Sequence, residues 1–240
     1  MNGEDIKKGS FFIPDASRWN DLVGKNITLQ TVINEVGTGK YGTSSTTTIE
    51  VDSSEIKIAT NLMRGNTSFT TWDSPLTRLE EGGSMFYGCT ALSSFTAETP
   101  KLKRGYNMFY GCTALSSFNS NLKSLTYGSH MFDGCTALSS FTSDLSSLTD
   151  GYSMFHKCKL NATSVKNILD TINELNGSSS SITIGINVNS AVTNGKDTAT
   201  QLSEFAQAMG FSTFDEVRTA FSDKGWSVTF QYGGTTTTIN

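Results

Sequence analysis

One segment, Met85-Phe-Tyr-Gly-Cys89-Thr-Ala-Leu92-Ser-Ser-Phe95, recurs almost unchanged at Met108–Phe118 and at Met131–Phe141. It opens once more as Met154-Phe-His-Lys-Cys158 and then diverges. Each methionine lies 23 residues after the last, and Cys89, Cys112, Cys135 and Cys158 keep the same step. So do Leu102, Leu125 and Leu148, and Gly82, Gly105, Gly128 and Gly151. A fixed period of this length indicates a solenoid, in which each repeat is one coil stacked on the last. A single coil cannot bury its own apolar side chains. Stacked coils can, because like residues then form columns about 4.8 Å apart, the spacing of hydrogen-bonded strands.

The core columns expected from this alignment are Met85, Met108, Met131 and Met154, the four cysteines, Leu92, Leu115 and Leu138, and Phe95, Phe118 and Phe141. Within one copy, Met85, Cys89, Leu92 and Phe95 follow steps that suit a helical or 3₁₀-like arc with one inward face. Leu102 closes the core from the return side. The glycine column of Gly82 is expected at the corner, where a tight turn favours a residue without a β-carbon. A fainter copy upstream aligns Leu62 with Met85, Gly65 with Gly88, Phe69 with Leu92, Trp72 with Phe95 and Leu79 with Leu102. Leu62–Ser84 therefore reads as the first coil, atypical because an end repeat presents a different face to solvent.

Positions that change between copies point to the surface. One column reads Tyr87, Tyr110, Asp133, His156, and another reads Asn107, His130, Ser153. Two corner columns read Arg104, Tyr127, Asp150 and Gly83, Tyr106, Ser129, Tyr152. Tyr87, Tyr110, Asp133, His156, Arg104, Tyr127, Tyr106 and Tyr152 are the candidate ligand-binding residues. Tyrosines in a row offer a protein or a sugar a large contact area at low entropic cost. Charge drifts along the stack, from Lys101, Lys103 and Arg104 early to Asp133, Asp144 and Asp150 late.

The motif Met-Phe-x-Gly-Cys-x-x-Leu-x-x-Phe at this period resembles the BspA-like leucine-rich repeats, abundant in surface proteins of gut and oral bacteria. The resemblance covers roughly Leu62 to Leu175. Near the other end, Ala220-Phe-Ser-Asp-Lys-Gly-Trp226-Ser-Val-Thr-Phe230 is similar to the Lys-Gly-Trp-x-Val strand that often closes such arrays. The resemblance implies a leucine-rich-repeat-like α/β solenoid and an adhesive role, and supplies no catalytic residues. The expected architecture is a stack of about five coils over residues 62–176, between an N-terminal cap or docking segment at 1–61 and a C-terminal cap at 177–240.

In the first segment, Ser17 and Thr28 are candidate helix caps within an apolar stretch over residues 1–36. Thr46–Val51 and Glu55–Thr60 alternate as two strands joined by a turn. After Cys158 an amphipathic helix is expected, capped by Thr163 or Ser164 and stopped at Gly177. A strand at Ser181–Val188, helices at Thr200–Met209 and from the capping box at Thr213, and a strand at Trp226–Tyr232 follow. The tail from Gly233 is expected to be loose unless it pairs with another chain.

Composition narrows the function. Net charge is −4 and charged residues are 17% of the chain, which leaves no basic footprint for nucleic acid. No apolar run is long enough for a membrane-spanning helix. The polar start, Met1-Asn-Gly-Glu-Asp-Ile-Lys-Lys, shows no secretory signal in this numbering. The cysteine spacing does not match the close pairs of zinc sites, and a column of buried, reduced thiols is favoured over disulfides between coils. No phosphate loop, zinc helix or nucleophile elbow occurs. An Asp133–His156 contact across adjacent coils is foreseen as a surface pair and not as a catalytic dyad. No cofactor or metal is expected.

The reading is a non-enzymatic structural or interaction protein. Its expected setting is a phage virion, as a fibre or decoration protein that helps attachment to a gut bacterial host. The alternative is a secreted or cell-surface bacterial adhesin that binds host protein or glycan through the repeats. Expected partners are a protein or glycan on a cell surface or other virion proteins. Self-association into a homo-oligomer is left open.

Overall fold

Each coil gives half of the amides in its arc to the next coil and keeps the other half. A computed structural model describes this arrangement for residues 57–67, 70–73, 75–189, 193–233 and 235–238. In the arc from Gly82 to Cys89, the amides of Gly82, Ser84, Phe86 and Gly88 donate to the carbonyls of Arg104, Tyr106, Met108 and Tyr110 at 2.7–2.9 Å. The amides between them, of Met85, Tyr87 and Cys89, turn back to Gly82, Ser84 and Phe86 at 3.0–3.2 Å. The next coil repeats the pattern, from Gly105→Tyr127 to Gly111→Asp133. Of the expected helical or 3₁₀-like arc, the inward bonds keep the i to i−3 step of a 3₁₀ turn, but the arc is a run of turns and not a continuous helix. A helix would keep every bond inside the segment and leave the stack without a ladder.

The alternation requires left-handed residues at regular points. Asn61, Ser84, Asn107, His130 and Ser153 hold one column at φ between 52° and 61°. Gly65, Gly88, Gly111 and Gly134 hold the other, and Lys157 takes that place in the last coil at φ 62°. The Gly82 column is different: its φ is not positive, and a β-carbon on Gly82 would sit 2.9 Å from Met108 Sδ of the next coil. This corrects the expected tight corner. The glycine is there to admit the next methionine.

On the far side of each coil a two-residue strand closes the circuit. These are β1 (Thr71–Trp72), β2 (Ser94–Phe95), β3 (Ser117–Phe118) and β4 (Ser140–Phe141). β1 pairs in parallel with β2 and β3 with β4, with Trp72 opposite Phe95 and Phe118 opposite Phe141. A second column of single parallel bridges links Ile58, Glu81, Arg104, Tyr127 and Asp150. Between the two columns lies the core, where the methionine, cysteine, leucine and phenylalanine columns are buried. Phe86, Phe109, Phe132 and Phe155 stack at centroid spacings of 5.3–5.5 Å, and Phe95, Phe118 and Phe141 stack at 5.6–6.0 Å. The two ladders meet edge to face, as in Phe95–Phe109 at 4.9 Å and Phe118–Phe132 at 4.8 Å. Each such aromatic pair is worth about 0.5–1.5 kcal/mol beyond area burial.

The four thiols are free and buried. Each donates to a carbonyl of the preceding coil: Cys89 to Met63, Cys112 to Phe86, Cys135 to Phe109 and Cys158 to Phe132, at 3.1–3.3 Å. Burial pushes the Cys89 thiol up to about 12 and holds the other three well above the usual thiol range.

After the repeats come β5 (Gly151–Leu160), α1 (Ala162–Thr171), β6 (Ser180–Ile186), α2 (Thr198–Ala208), α3 (Phe214–Asp223), β7 (Trp226–Tyr232) and β8 (Thr235–Thr238). The sheet runs β5-β6-β7-β8, parallel through β7 and antiparallel at the end. Two contacts show how it receives the last coil. Trp226 lies against Gly151, where a β-carbon would fall 3.3 Å from its ring, in the place the next methionine takes in earlier coils. The Lys157 amide, which has no following arc, donates to Gln231 Oε1 at 2.8 Å.

Several local expectations are corrected. Asn161, not Thr163 or Ser164, caps α1, accepting from the Ser164 amide at 2.9 Å, because its extended φ/ψ puts its side chain over the first turn. Ser164 instead is buried and takes the Phe141 amide at 2.9 Å. The helix ends at Thr171, short of Gly177, because Ile172 adopts an extended ψ of 139°. α2 starts at Thr198 behind Asp197, whose carboxylate takes the Thr200 amide at 2.8 Å. Thr213 caps α3, but Glu216 reaches back to the Ser212 amide at 2.8 Å in place of the cap's own. The tail is not loose through its length, since Thr235–Thr238 pairs with β7. The readings at residues 1–56 and at Phe69 lie outside the described residues.

Replacing Phe109, which contacts Phe86, Phe95, Phe118 and Phe132, by alanine is expected to cost about 3–5 kcal/mol in urea unfolding. A loss under 1 kcal/mol would show that the ladders contribute little. Thiol titration should find no reactive cysteine in the native protein and four after denaturation.

Candidate functional site

Along each rung of the bridged column, alternate residues face opposite ways. Arg104 and Tyr106 are exposed on either side of buried Gly105, and Tyr127 and Tyr152 continue the same face. Tyr106, Tyr127 and Tyr152 keep 41%, 47% and 56% of their surface exposed. Tyr106 lies over Gly83, where a β-carbon would fall 2.3 Å from its ring. The Arg104 guanidinium stands 5.7 Å from the Tyr127 ring centre, and Tyr152 meets His130 edge to face at 5.2 Å.

Two of the three early positive charges are matched where they stand. Lys103 pairs with Glu80 at 3.0 Å and Arg104 with Glu81 at 2.8 Å, each with the equivalent residue of the preceding coil. The bond and charge from Lys103 hold the Glu80 carboxyl below the usual carboxylate range. With Thr126 and Tyr127 these four side chains line a cleft of about 300 Å³. The glutamates were legible as partners, since each sits one period before its cation.

A second column runs parallel to the first and is anchored differently. Arg64 covers the Tyr87 ring at 4.4 Å, and Tyr87 stacks on Tyr110 at 4.7 Å with the rings 4° from parallel. The next member, Asp133, is 5% exposed, which corrects its place among exposed candidates. Its carboxylate accepts from His156 Nδ1 at 2.8 Å and from His130 Nδ1 at 3.0 Å. The second histidine was not foreseen as a partner. It is three residues upstream within one arc, where the left-handed φ of His130 turns its ring toward Asp133. Asp133 raises the Tyr110 phenol above its usual range by charge, with smaller help from burial and Tyr87.

Tyr87, Tyr110 and His156 are therefore half-buried members of a self-satisfied ladder, while Arg104, Tyr106, Tyr127 and Tyr152 form the open face. Among the described residues, no group of three or more His, Cys, Asp or Glu is placed to hold a metal ion, and no helix is long and apolar enough to cross a membrane.

The model of the BspA type leucine rich repeat region matches six copies over residues 20–99 and 82–183, well over half of the chain. The chain belongs to the BspA-type leucine-rich repeat family. The match begins upstream of Leu62, where the repeat motif is first legible by eye. No curated protein and no solved structure matches the chain. For a BspA-type repeat protein the family supports an interaction or surface-adhesion role and a repeat domain that is typically non-enzymatic. It names no ligand.

Replacing Asp133 by asparagine is expected to lower the Tyr110 phenol toward the ordinary tyrosine range. Ultraviolet titration, with Tyr110→Phe as the subtraction, measures this. An unchanged Tyr110 titration would assign the shift to another cause.

Proposed function

We propose that this protein is a non-enzymatic attachment module, a rigid solenoid whose open tyrosine face engages a protein or glycan on a cell surface. One observation carries the reading. The core columns are kept through the stack, while the exposed large apolar side chains among the described residues are Ile58 and three tyrosines, and all three tyrosines share one face. Tyrosine and arginine are the residues most often found at binding hot spots, where the rest of the contact serves to exclude water. The sequence at 177–240 acts in this reading as a flanking module that seals one end of the repeats, as solenoids require for solubility.

Two carriers suit such a module. The low charge and Ser/Thr-rich sequence fit a fibre or decoration protein of a phage virion that attaches to a gut bacterial host. The family match supports a bacterial surface adhesin. Immunogold labelling of a producing culture separates them: label on released particles establishes the virion, and label confined to the cell envelope ends that assignment.

The attachment itself is tested with purified protein on intact cells. The triple variant Tyr106→Ala, Tyr127→Ala, Tyr152→Ala should lose cell binding by about ten-thousand-fold where the three losses add, since each truncated hot spot costs about 2 kcal/mol. Gln207→Ala, on the exposed side of α2, should bind as the parent does. Equal binding by the triple variant would overturn the proposed face.

A further inference from the structure

The cleft beside Tyr127 is unusual in its charge arithmetic. Four ionised groups line it, Glu80, Glu81, Lys103 and Arg104, and they cancel in two pairs at 3.0 and 2.8 Å. All four remain substantially open to solvent, with side-chain exposures between 38% and 60%. An ionic ligand of either sign would find a like charge beside each opposite one. A neutral ligand meets no such conflict.

The hydrogen-bonding inventory narrows the class. The carboxylates only accept and the ammonium and guanidinium only donate. A partner that uses both members of a pair must offer a donor and an acceptor within a few ångström of each other. Adjacent hydroxyl groups do this, since each can donate to Glu80 or Glu81 and accept from Lys103 or Arg104. The Thr126 hydroxyl spends its donor on the Lys103 carbonyl at 3.0 Å and can only accept, so donors and acceptors stand side by side at the ion pairs. The remaining wall is Tyr127, 47% exposed, whose ring has the Arg104 guanidinium 5.7 Å from its centre and offers the rest of its apolar surface to carbon-bound hydrogens. A polyol with one apolar face and a ring of hydroxyls is a pyranose. The cleft volume of about 300 Å³ lies at the lower end for small-molecule sites and suits one or two such rings.

We propose that Glu80, Glu81, Lys103, Arg104 and Tyr127 form a binding site for a neutral hexopyranose, the exposed sugar of a surface glycan. The proposal rests on the attachment reading and gives it a ligand class. Tyr127 supplies the stacking face, the paired charges read the vicinal hydroxyls, and Tyr106 and Tyr152 extend the contact along the chain of sugars. Because each cation is drawn from one coil and its carboxylate from the coil before, the site exists only where coils are stacked.

The full chain is applied to an array of neutral, sialylated and sulfated oligosaccharides, and positives are measured by calorimetry. The expected result is binding to neutral hexose-terminated oligosaccharides in preference to their sialylated or sulfated forms. Tyr127→Ala should weaken it by about ten-fold or more, while Tyr127→Phe, which keeps the ring, and Gln207→Ala should not. Tyr127 is exposed, and circular dichroism of each variant confirms the fold. No neutral oligosaccharide bound at millimolar concentration, preference for an anionic sugar, or Tyr127→Ala binding as the parent does would each overturn the site. If cell attachment is lost in the triple tyrosine variant while no sugar binds, this proposal fails and the attachment reading stands with a protein partner. If cell attachment is unchanged as well, both fail.

Discussion

Everything in the stack follows from the division of amides within the arc. Gly82, Ser84, Phe86 and Gly88 donate forward, whereas Met85, Tyr87 and Cys89 donate inward. Forward bonds fix the rise between coils at the strand spacing. Inward bonds curve each coil enough to return. Once the rise is fixed, like side chains fall into register. Phenylalanines stack, thiols reach the carbonyl of the preceding coil, and each methionine meets the glycine one coil back. A coil that abandoned the alternation would lose both its curvature and its neighbour. The repeated sequence is therefore conserved within the chain for backbone reasons as much as for packing.

The end of the stack shows the same constraint by substitution. Where no next arc exists, the orphan amide of Lys157 takes the Gln231 side chain, and Trp226 stands where a methionine would. Trp226 is fixed in turn by its indole N–H, which donates to the Asn173 carbonyl at 2.8 Å. An unpaired ladder edge is a template for another chain, so an end that merely stopped would be exposed to fraying or to pairing. The antiparallel β8 leaves the sheet with a threonine-rich edge in place of an apolar one.

The repeat itself was legible because side-chain identity is carried in the sequence. Periodicity placed the columns and a degenerate coil from Leu62, and alternation placed strands at Ser181–Val188, observed as Ser180–Ile186, and at Trp226–Tyr232. Backbone conformation was less legible. The steps from Met85 to Phe95 look helical because turns and helices share an i to i+3 or i+4 face. Only the destination of alternate amides separates them, and that depends on a neighbour 22 residues away. The Gly82 column misled for a related reason: glycine admits either a positive φ or a close approach, and the sequence does not say which. At the site, the pairs Lys103–Glu80 and Arg104–Glu81 could be read from the period. The burial of Asp133 could not, since it depends on His130 and His156 closing over it from two coils.

The two variable columns then differ in how free they are to bind anything. In the Arg64–Tyr87–Tyr110–Asp133–His156 column every ring or charge already has a neighbour of its own kind of chemistry, so a ligand would have to displace internal contacts. Its work is to seal the side of the core. The Arg104, Tyr106, Tyr127 and Tyr152 face spends little on itself. Its ion pairs are solvent-screened and add little to stability, and its tyrosines remain about half exposed. A substitution there alters one outward side chain and leaves the ladder beneath intact. A solenoid can therefore vary this face from coil to coil at almost no cost in stability, which is the property a recognition surface needs.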